Sequence, residues 1–279
     1  MVSSKLVAIH SELKYTDYFI FQSEDNILKI MIVTQDETGY LPTAIDYLIR
    51  RIPEDVFLIG AIVLKPSPLG AKYNIFTKAF FAFRTFGASF VVKYATQLII
   101  SFFKRKSVIS TFRSWDVPLI KLPGSINSQA SLDLISHYDP DLIISIAANQ
   151  IFKSSLINLP KKGIINLHTS LLPLYRGLLP SFWVIKNKEF ETGVSVFWVD
   201  EGIDSGQIIV QEKLRILGCS QSELIRYTKI LGMEAIVSAV SKIMSGDNST
   251  IANDDSKATY YSFPTRKDVK EFLRQGSKF

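Results

Sequence analysis

An amide, an imidazole and an acidic turn near the middle of the sequence have the types and spacing needed for acyl-transfer chemistry. Asn166 and His168 are two residues apart at the end of a predicted strand, so their side chains project to the same side. The acidic stretch 200–206 follows another predicted strand, and its two glycines allow a tight turn close to a ligand. Because ligands of open α/β sheets bind beyond the carboxyl ends of strands, we expect these groups to share one site.

Together these groups fit the transfer of an acyl group to an amine. An imidazole can take the proton that the attacking amine loses near pH 7, and a carboxylate can orient the imidazole or hold the amine. The Asn166 amide can stabilise negative charge on the carbonyl oxygen, an effect of roughly 2.7–4 kcal/mol. No serine or cysteine lies in a nucleophile elbow, which favours direct transfer without an acyl-enzyme. The purely structural alternatives are a strand histidine, a turn-capping asparagine and a solvated acidic turn.

The elements that must position these residues alternate between strands and helices. The first strand–helix–strand unit is typical of a parallel sheet. We therefore predict an α/β fold with a Rossmann-like, open, mostly parallel twisted sheet and helices on both faces. Strands are predicted at 28–34, 56–64, 117–121, 141–146, 163–168, 192–199 and 208–216, and helices at 41–51, 107–115, 128–138, 180–187 and 220–245.

The chain divides into a central domain with two flanking segments. Residues 1–26 are expected to form an N-terminal appendage, and residues 27–218 the catalytic domain, which carries an apolar insert at 66–106. Residues 219–279 are expected to form a C-terminal helix and a basic tail. The apolar stretch 79–103 contains Arg84 and Lys93, and mid-bilayer charges are costly, so a spanning helix is not expected.

Composition restricts the classes of partner and site. The 279 residues carry a net charge of +6, which favours anionic partners. With one cysteine and three histidines, an internal disulfide is excluded, and a metal site of the usual ligand types is not expected. The first residues lack a secretory pattern, so a cytoplasmic location is expected, with association at the cytoplasmic face of a membrane left open.

Three separated motifs carry a family resemblance. They are Asn166-Leu-His-Thr-Ser-Leu-Leu-Pro with the following Tyr-Arg-Gly, Glu191-Thr-Gly-Val-Ser-Val, and Asp200-Glu-Gly-Ile-Asp-Ser-Gly. In order and spacing, between about residues 140 and 216, they closely resemble the folate-dependent formyltransferases. The resemblance implies the formyltransferase fold, with Asn166, His168 and Asp204 as catalytic residues. It selects Asp204, rather than Asp200, as the catalytic carboxylate.

The resemblance also implies a folate site with 10-formyltetrahydrofolate as the formyl donor. One segment after the strand 141–146 would line the pterin pocket, and the loop 199–204 would close over it. An ordinary strand-to-helix turn is the alternative for the first segment. The folate-binding residues implied are Asn149, Gln150, Ile151, Phe152, Val199, Asp200, Glu201, Gly202 and Ile203.

Departures from the family pattern bear on the acceptor amine. Glycinamide ribonucleotide enzymes carry a glycine-rich phosphate loop after the first strand, whereas this chain has Asp36 and Glu37, which would repel phosphate. Enzymes that act on tRNA add a C-terminal β-barrel, whereas the residues after Ile216 are predicted to form a helix and a tail. We therefore expect an amino sugar on a nucleotide or lipid carrier. The alternatives are formylation of methionyl-tRNA and a catalytically silent scaffold or peripheral membrane protein.

The insert 66–106 resembles the family least. Its apolar runs 75–83 and 90–94 precede the basic residues 104–106, so residues 75–106 could rest on an anionic membrane. Helices packed on the sheet, or the face of a homodimer, are the interpretations that we favour.

Overall fold

The computed structural model describes residues 27–37, 39–65, 75–88, 90–92, 95–96, 107–216 and 218–279. The predicted appendage 1–26 lies outside these ranges, as do residues 66–74 and 97–106 of the predicted insert.

Six strands form one open, mostly parallel sheet, as predicted. Its order is β2-β1-β3-β4-β6-β7, in which the first four strands are parallel and β6 runs antiparallel to both of its neighbours. The carboxyl ends of β1, β3 and β4 therefore meet at one edge of the sheet. The strands are β1 (Leu28–Gln35), β2 (Val56–Leu64), β3 (Leu142–Ile146), β4 (Gly163–His168), β5 (Arg176–Gly177), β6 (Glu191–Trp198), β7 (Ile208–Arg215) and β8 (Tyr260–Tyr261).

Helices cover both faces of this sheet, as predicted. Alternate residues of the strands supply two separate apolar clusters, because successive strand side chains point to opposite faces. One cluster includes Leu41 of α1, Phe112 of α3 and Ile236 of α7, and the other includes Ile135 of α4 and Leu156 of α5. The helices are α1 (Leu41–Ile49), α2 (Ile75–Phe86), α3 (Val108–Ser114), α4 (Gln129–His137), α5 (Ser154–Ile157), α6 (Pro180–Lys186), α7 (Gln221–Met244) and α8 (Arg266–Arg274).

Helix α7 supports the strand that carries the predicted catalytic residues. It begins with a capping box, in which the Glu223 N–H donates to Ser220 Oγ and the Ser220 N–H donates to Glu223 Oε2. Further along, Gly232 lies so close to β4 that an added Cβ would be 2.5 Å from a Leu167 methyl group. Helix α7 therefore packs against β4 on the face opposite the side chains of Asn166 and His168.

Two parts of the chain differ from the sequence prediction. Residues 117–121 form a single bridge between Leu119 and Ala61 rather than a strand, because Pro118 has no N–H to donate and the chain bends at Pro123. The predicted basic tail contains β8 and α8. β8 pairs in parallel with β5 to form a second, two-stranded sheet.

The described part of the insert packs on the C-terminal segment. The Phe86 ring lies 5.6 Å from that of Phe263 and 5.8 Å from that of Phe279, between centroids, and Phe90 is 5.1 Å from Phe279. On α2 itself, the side chains of Phe80, Phe81 and Phe83 are 47–63% exposed. Within the described ranges, no helix combines the length and apolar character that crossing a membrane requires.

Candidate active site

The strand β4 brings the predicted amide and imidazole to one side of the sheet. Ile165 and Leu167 point into the cluster beneath α1 and α7, so Asn166 and His168 point to the opposite face. Asn166 is half-buried, and no hydrogen bond to another described residue occupies its amide. Its N–H groups are therefore available to a ligand.

The hydrogen bonds of His168 define where its ring can accept a proton. The side chain is buried, and Nε2 lies 2.8 Å from the Tyr175 carbonyl oxygen. Because a carbonyl can only accept, Nε2 carries a hydrogen and donates it. In the neutral ring, Nδ1 is then the free basic atom, and it lies 3.6 Å from Asp204 Oδ2. The carboxylate is too far for a normal hydrogen bond, but it is close enough to stabilise a positive charge on the ring.

Asp204 occupies a tight turn between β6 and β7. Its φ of +52° lies in the left-handed region, which aspartate tolerates better than most residues. Its Oδ2 accepts from the Gly177 N–H at 2.9 Å. The turn closes against β6, because a Cβ on Gly206 would lie 1.7 Å from the Trp198 carbonyl oxygen. This turn fixes the carboxylate beside His168.

Asp200 has a different role from Asp204. Its Oδ1 accepts from the Gly202 N–H at 3.1 Å and from Ser205 Oγ at 2.6 Å. Asp200 therefore shapes the loop, whereas Asp204 is the carboxylate that faces His168.

The two predicted folate segments lie next to each other. Ser154 Oγ, just after the first segment, donates to Glu201 of the second, and Phe152 packs in the same apolar cluster as Val199. The side chains of Ile151 and Ile203 are 73% and 53% exposed, which leaves apolar surface for a ring.

Other polar groups of these folate segments hold neighbouring loops. Asn149 Nδ2 donates to the Lys65 carbonyl at 2.7 Å, and Gln150 Oε1 accepts from the Ile126 N–H at 3.1 Å. The outer turn of the second segment, at Gly202, is exposed.

Two cavities lie away from these segments. A cavity of about 360 Å³ is lined by Leu214, Arg215, Gly218, Cys219, Glu223 and Tyr227, none of which belongs to the predicted folate set. A smaller one, of about 110 Å³, lies beyond the carboxyl end of β1 and is lined by Gly39, Tyr40, Thr43, Arg226, Lys229 and Ile230.

The residues that line the smaller cavity make the region after β1 less acidic than the sequence predicted. Burial lowers the pKa of Lys229, and the nearby Glu37 carboxylate opposes that shift. Arg226 of α7 therefore brings a positive charge, and Lys229 a second basic side chain, to the acidic pair that the sequence placed after β1.

A buried arginine next to the site was not predicted. Arg176 is fully buried; its Nη1 donates at 2.7 Å both to Asp255 Oδ1 and to Tyr260 Oη, and Nη2 donates to Asn253 Oδ1 at 2.7 Å. Burial alone would lower the pKa of Arg176, but the bonds to Asp255 and Tyr260 raise it, so the cation persists. An arginine between Tyr175 and Leu178, in a mostly apolar run, was the only local sign of a buried charge.

We expect Arg176→Met to lower the free energy of unfolding by about 3 kcal/mol, because it removes a buried cation and leaves its partners unsatisfied. Urea denaturation measures this change. The exposed Arg113→Met is the matched control and should stay within about 0.5 kcal/mol of the wild type. Equal stability of the two variants would show that the buried network is not stabilising.

Tyr175 anchors the carbonyl that binds His168. Its backbone N–H donates to Thr259 Oγ1 at 2.8 Å, and its phenol donates to Glu189 Oε1 at 2.5 Å. Burial, together with that bond to Glu189, raises the pKa of Tyr175, so the phenol stays protonated and keeps donating. Its ring stacks on Tyr261 at 5.0 Å. The imidazole is thus held by a residue fixed at several points.

The segment that contains Asn166, His168 and Asp204 matches a known family. Residues 118–241 match the family model described as formyl transferase. The methionyl-tRNA formyltransferase of Kosmotoga olearia is 34% identical over 162 residues, which are 56% of this chain and 50% of that enzyme. That of Synechococcus sp. strain JA-3-3Ab is 40% identical over 131 residues, 47% of this chain and 41% of that enzyme. The chain thus spans half or less of the length of these relatives.

Solved structures share the fold. The N-formyltransferase from Helicobacter canadensis, in complex with folinic acid and dTDP-3-aminofucose, has a TM-score of 0.53 at 18% identity and covers 87% of this chain and 72% of its own. Glycinamide ribonucleotide transformylase 1 from Symbiobacterium toebii has a TM-score of 0.56 at 17% identity. The match covers 79% of this chain and 89% of that enzyme. At these identities the likeness establishes the formyltransferase fold.

Proposed function

We propose that this chain, whose residues 118–241 match the formyl transferase family model, moves a formyl group from 10-formyltetrahydrofolate to a primary amine. The observation that carries the proposal is the pairing of His168 Nδ1 with Asp204 Oδ2 at 3.6 Å, beside Asn166, at the carboxyl end of β4. These groups lie where open α/β sheets bind ligands.

His168 would act as the general base. Since its Nε2 hydrogen is donated to Tyr175, the proton of the attacking amine passes to Nδ1. Asp204, held by the Gly177 N–H, stabilises the positive charge that the ring then acquires. The amine attacks the formyl carbon directly, so no residue needs to form a covalent bond to that carbon. As the bond between the formyl carbon and the folate nitrogen breaks, the proton held on Nδ1 would pass to that nitrogen, and tetrahydrofolate would leave.

Asn166 would stabilise the formyl oxygen. Negative charge grows on that oxygen as the amine attacks, and an amide N–H fixed on a strand can donate to it without reorganisation. Asn166 suits this role because its position on β4 is set by pairing with Phe197 and its amide has no partner among the described residues.

The two adjacent segments 149–152 and 199–203 would hold the folate donor, which supplies the formyl carbon. Exposed Ile151 and Ile203 offer apolar contact to a ring. No cluster of three or more His, Cys, Asp or Glu suited to a metal occurs in the described ranges.

For the acceptor, we propose an amino sugar carried on a nucleotide or lipid. Arg226 lines the smaller cavity at the sheet edge shared with His168, and its guanidinium could attract the phosphates of such a carrier. The second candidate is methionyl-tRNA, because the matching relatives are methionyl-tRNA formyltransferases.

An assay with labelled formyl donor separates these acceptors. We would incubate the full chain and 10-formyltetrahydrofolate with a panel of amino-sugar nucleotides or with methionyl-tRNA. Label on the sugar amine supports the proposal. Label on the tRNA alone, together with a tRNA affinity that falls steeply as the salt concentration rises, would support the second candidate instead. Label on neither acceptor contradicts both.

Asn166→Ala is expected to lower kcat about 10²–10³-fold, because the developing oxyanion loses its donor. Steady-state kinetics with the folate donor measures this, and KM should change far less than kcat. Asn166→Asp keeps the size of the side chain, but an ionised carboxylate cannot donate a hydrogen bond. Its kcat should therefore fall to a similar extent. The control Asn158→Ala alters an exposed residue after α5. Wild-type kcat in both Asn166 variants would remove the proposed role.

A further inference from the structure

We infer that Asn253, outside the matched segment 118–241, is the positioning residue that holds Asp204 in its working orientation. Asn253 Nδ2 donates at 2.9 Å to the carbonyl oxygens of both Asp204 and Gly206. The side chain is 7% exposed, so water competes little for these bonds. One amide group thus bridges the two ends of the turn that presents the catalytic carboxylate.

The orientation of this amide is fixed by its other end. Asn253 Oδ1 accepts from Arg176 Nη2 at 2.7 Å, and an arginine offers only donors. The oxygen must therefore face Arg176, which directs the N–H₂ group to the turn. A flipped amide would place its N–H₂ group against the guanidinium and its oxygen against the two carbonyls, so it is not an equally good alternative.

Arg176 links this amide to both catalytic groups. Its two backbone neighbours touch the site directly, since Tyr175 accepts from His168 and Gly177 donates to Asp204 Oδ2. The guanidinium of Arg176 in turn holds Asn253. The distance between His168 and Asp204 is therefore set by one connected set of contacts, which includes a residue from the C-terminal segment.

The turn needs such support. Asp204 has a φ of +52°, a left-handed conformation that costs backbone energy even for aspartate and that neighbouring contacts stabilise. The bonds from Asn253 are made to the carbonyls at this residue and two residues further on. Without them, we expect the backbone to relax and the carboxylate to move away from Nδ1.

The test variant is Asn253→Asp in the full chain. It keeps the size of the side chain and an acceptor for Arg176, but it cannot donate to the two carbonyls. This inference rests on the proposed function, so formyl transfer by the wild type is measured first. We expect kcat to fall about 10–100-fold, the scale of a small misplacement of a catalytic group, with a much smaller change in the KM of the folate donor. Asn248→Asp adds the same charge at an exposed position and should leave kcat unchanged.

A double variant shows whether Asn253 acts through Asp204. If it does, adding Asn253→Asp to Asp204→Asn costs less than about twofold further in kcat, because the carboxylate is already gone. A further loss of tenfold or more, or a wild-type kcat in the single variant, would overturn the inference.

Hydrogen exchange provides a readout that does not need activity. The Gly177 amide, bonded to Asp204 Oδ2, should exchange at least about tenfold faster in Asn253→Asp than in Asn248→Asp. Unchanged exchange at Gly177 would overturn the positioning role. A wild type that transfers no formyl group, but shows the exchange difference, would refute the proposed function and leave the positioning role standing.

Discussion

Replacing His168 by alanine is expected to lower kcat for formyl transfer by about 10²–10⁴-fold. General-base catalysis by a positioned imidazole contributes on this scale. The ring is buried and held through Nε2, so water cannot simply take its place with the same geometry. The measurement is kcat with the folate donor and the best acceptor of the panel.

His137→Ala is the matched control for this experiment. His137 is exposed at the end of α4, so its loss should leave kcat within about twofold of the wild type. If His168→Ala retained wild-type kcat while still folded, proton transfer through the imidazole would be excluded.

Asp204→Asn is expected to lower kcat by about 10³-fold. The amide oxygen of the variant can still accept from the Gly177 N–H, so the turn keeps its shape. The negative charge beside His168 Nδ1 is lost, and with it the stabilisation of the protonated ring. Removing the carboxylate next to a catalytic imidazole has effects of this order where the geometry is otherwise preserved.

The exposed Asp133 of α4 provides the control Asp133→Asn, which should match the wild type. Single-turnover kinetics at high enzyme concentration makes the slow variant measurable. Transfer retained at the wild-type rate in both Asp204→Asn and His168→Ala would defeat the role assignments as a pair.

The strands that build the site could be predicted from local pattern. Residues 56–64 and 163–168 form strands at the predicted bounds, because both segments are short, mostly apolar and contain β-branched residues. The direction of Asn166 and His168 followed from the two-residue period of a strand. The first strand–helix–strand unit predicted a mostly parallel sheet. The structure confirms this prediction and shows the strand order.

The carboxylate could not be chosen from spacing alone. Asp200 and Asp204 share one acidic turn, and only the folded hairpin shows which faces the imidazole. The resemblance to the formyltransferases selected Asp204, and the distance of 3.6 Å to His168 Nδ1 is consistent with that choice. Its role as a catalyst is a prediction that the variants above test.

The contacts that the C-terminal segment makes with the site could not be predicted from local sequence patterns. Asn253 lies 77 residues from Arg176 along the chain, and no periodicity connects an isolated loop asparagine to a distant arginine. β8 has only two residues, too few to show an alternating pattern. The basic residues of α7 beyond the end of β1 were also not predicted, because helix periodicity does not show which loop a helix face contacts.

The central claim is that Asn166, His168 and Asp204 surround the formyl carbon. The most direct test is a crystal structure of the full chain with 5-formyltetrahydrofolate, a stable isomer of the donor. We predict the pterin between segments 149–152 and 199–203, and the formyl carbon within about 4 Å of Asn166 Nδ2 and of the His168 ring. A folate bound elsewhere on the chain, or one whose formyl group points away from both side chains, would contradict the claim.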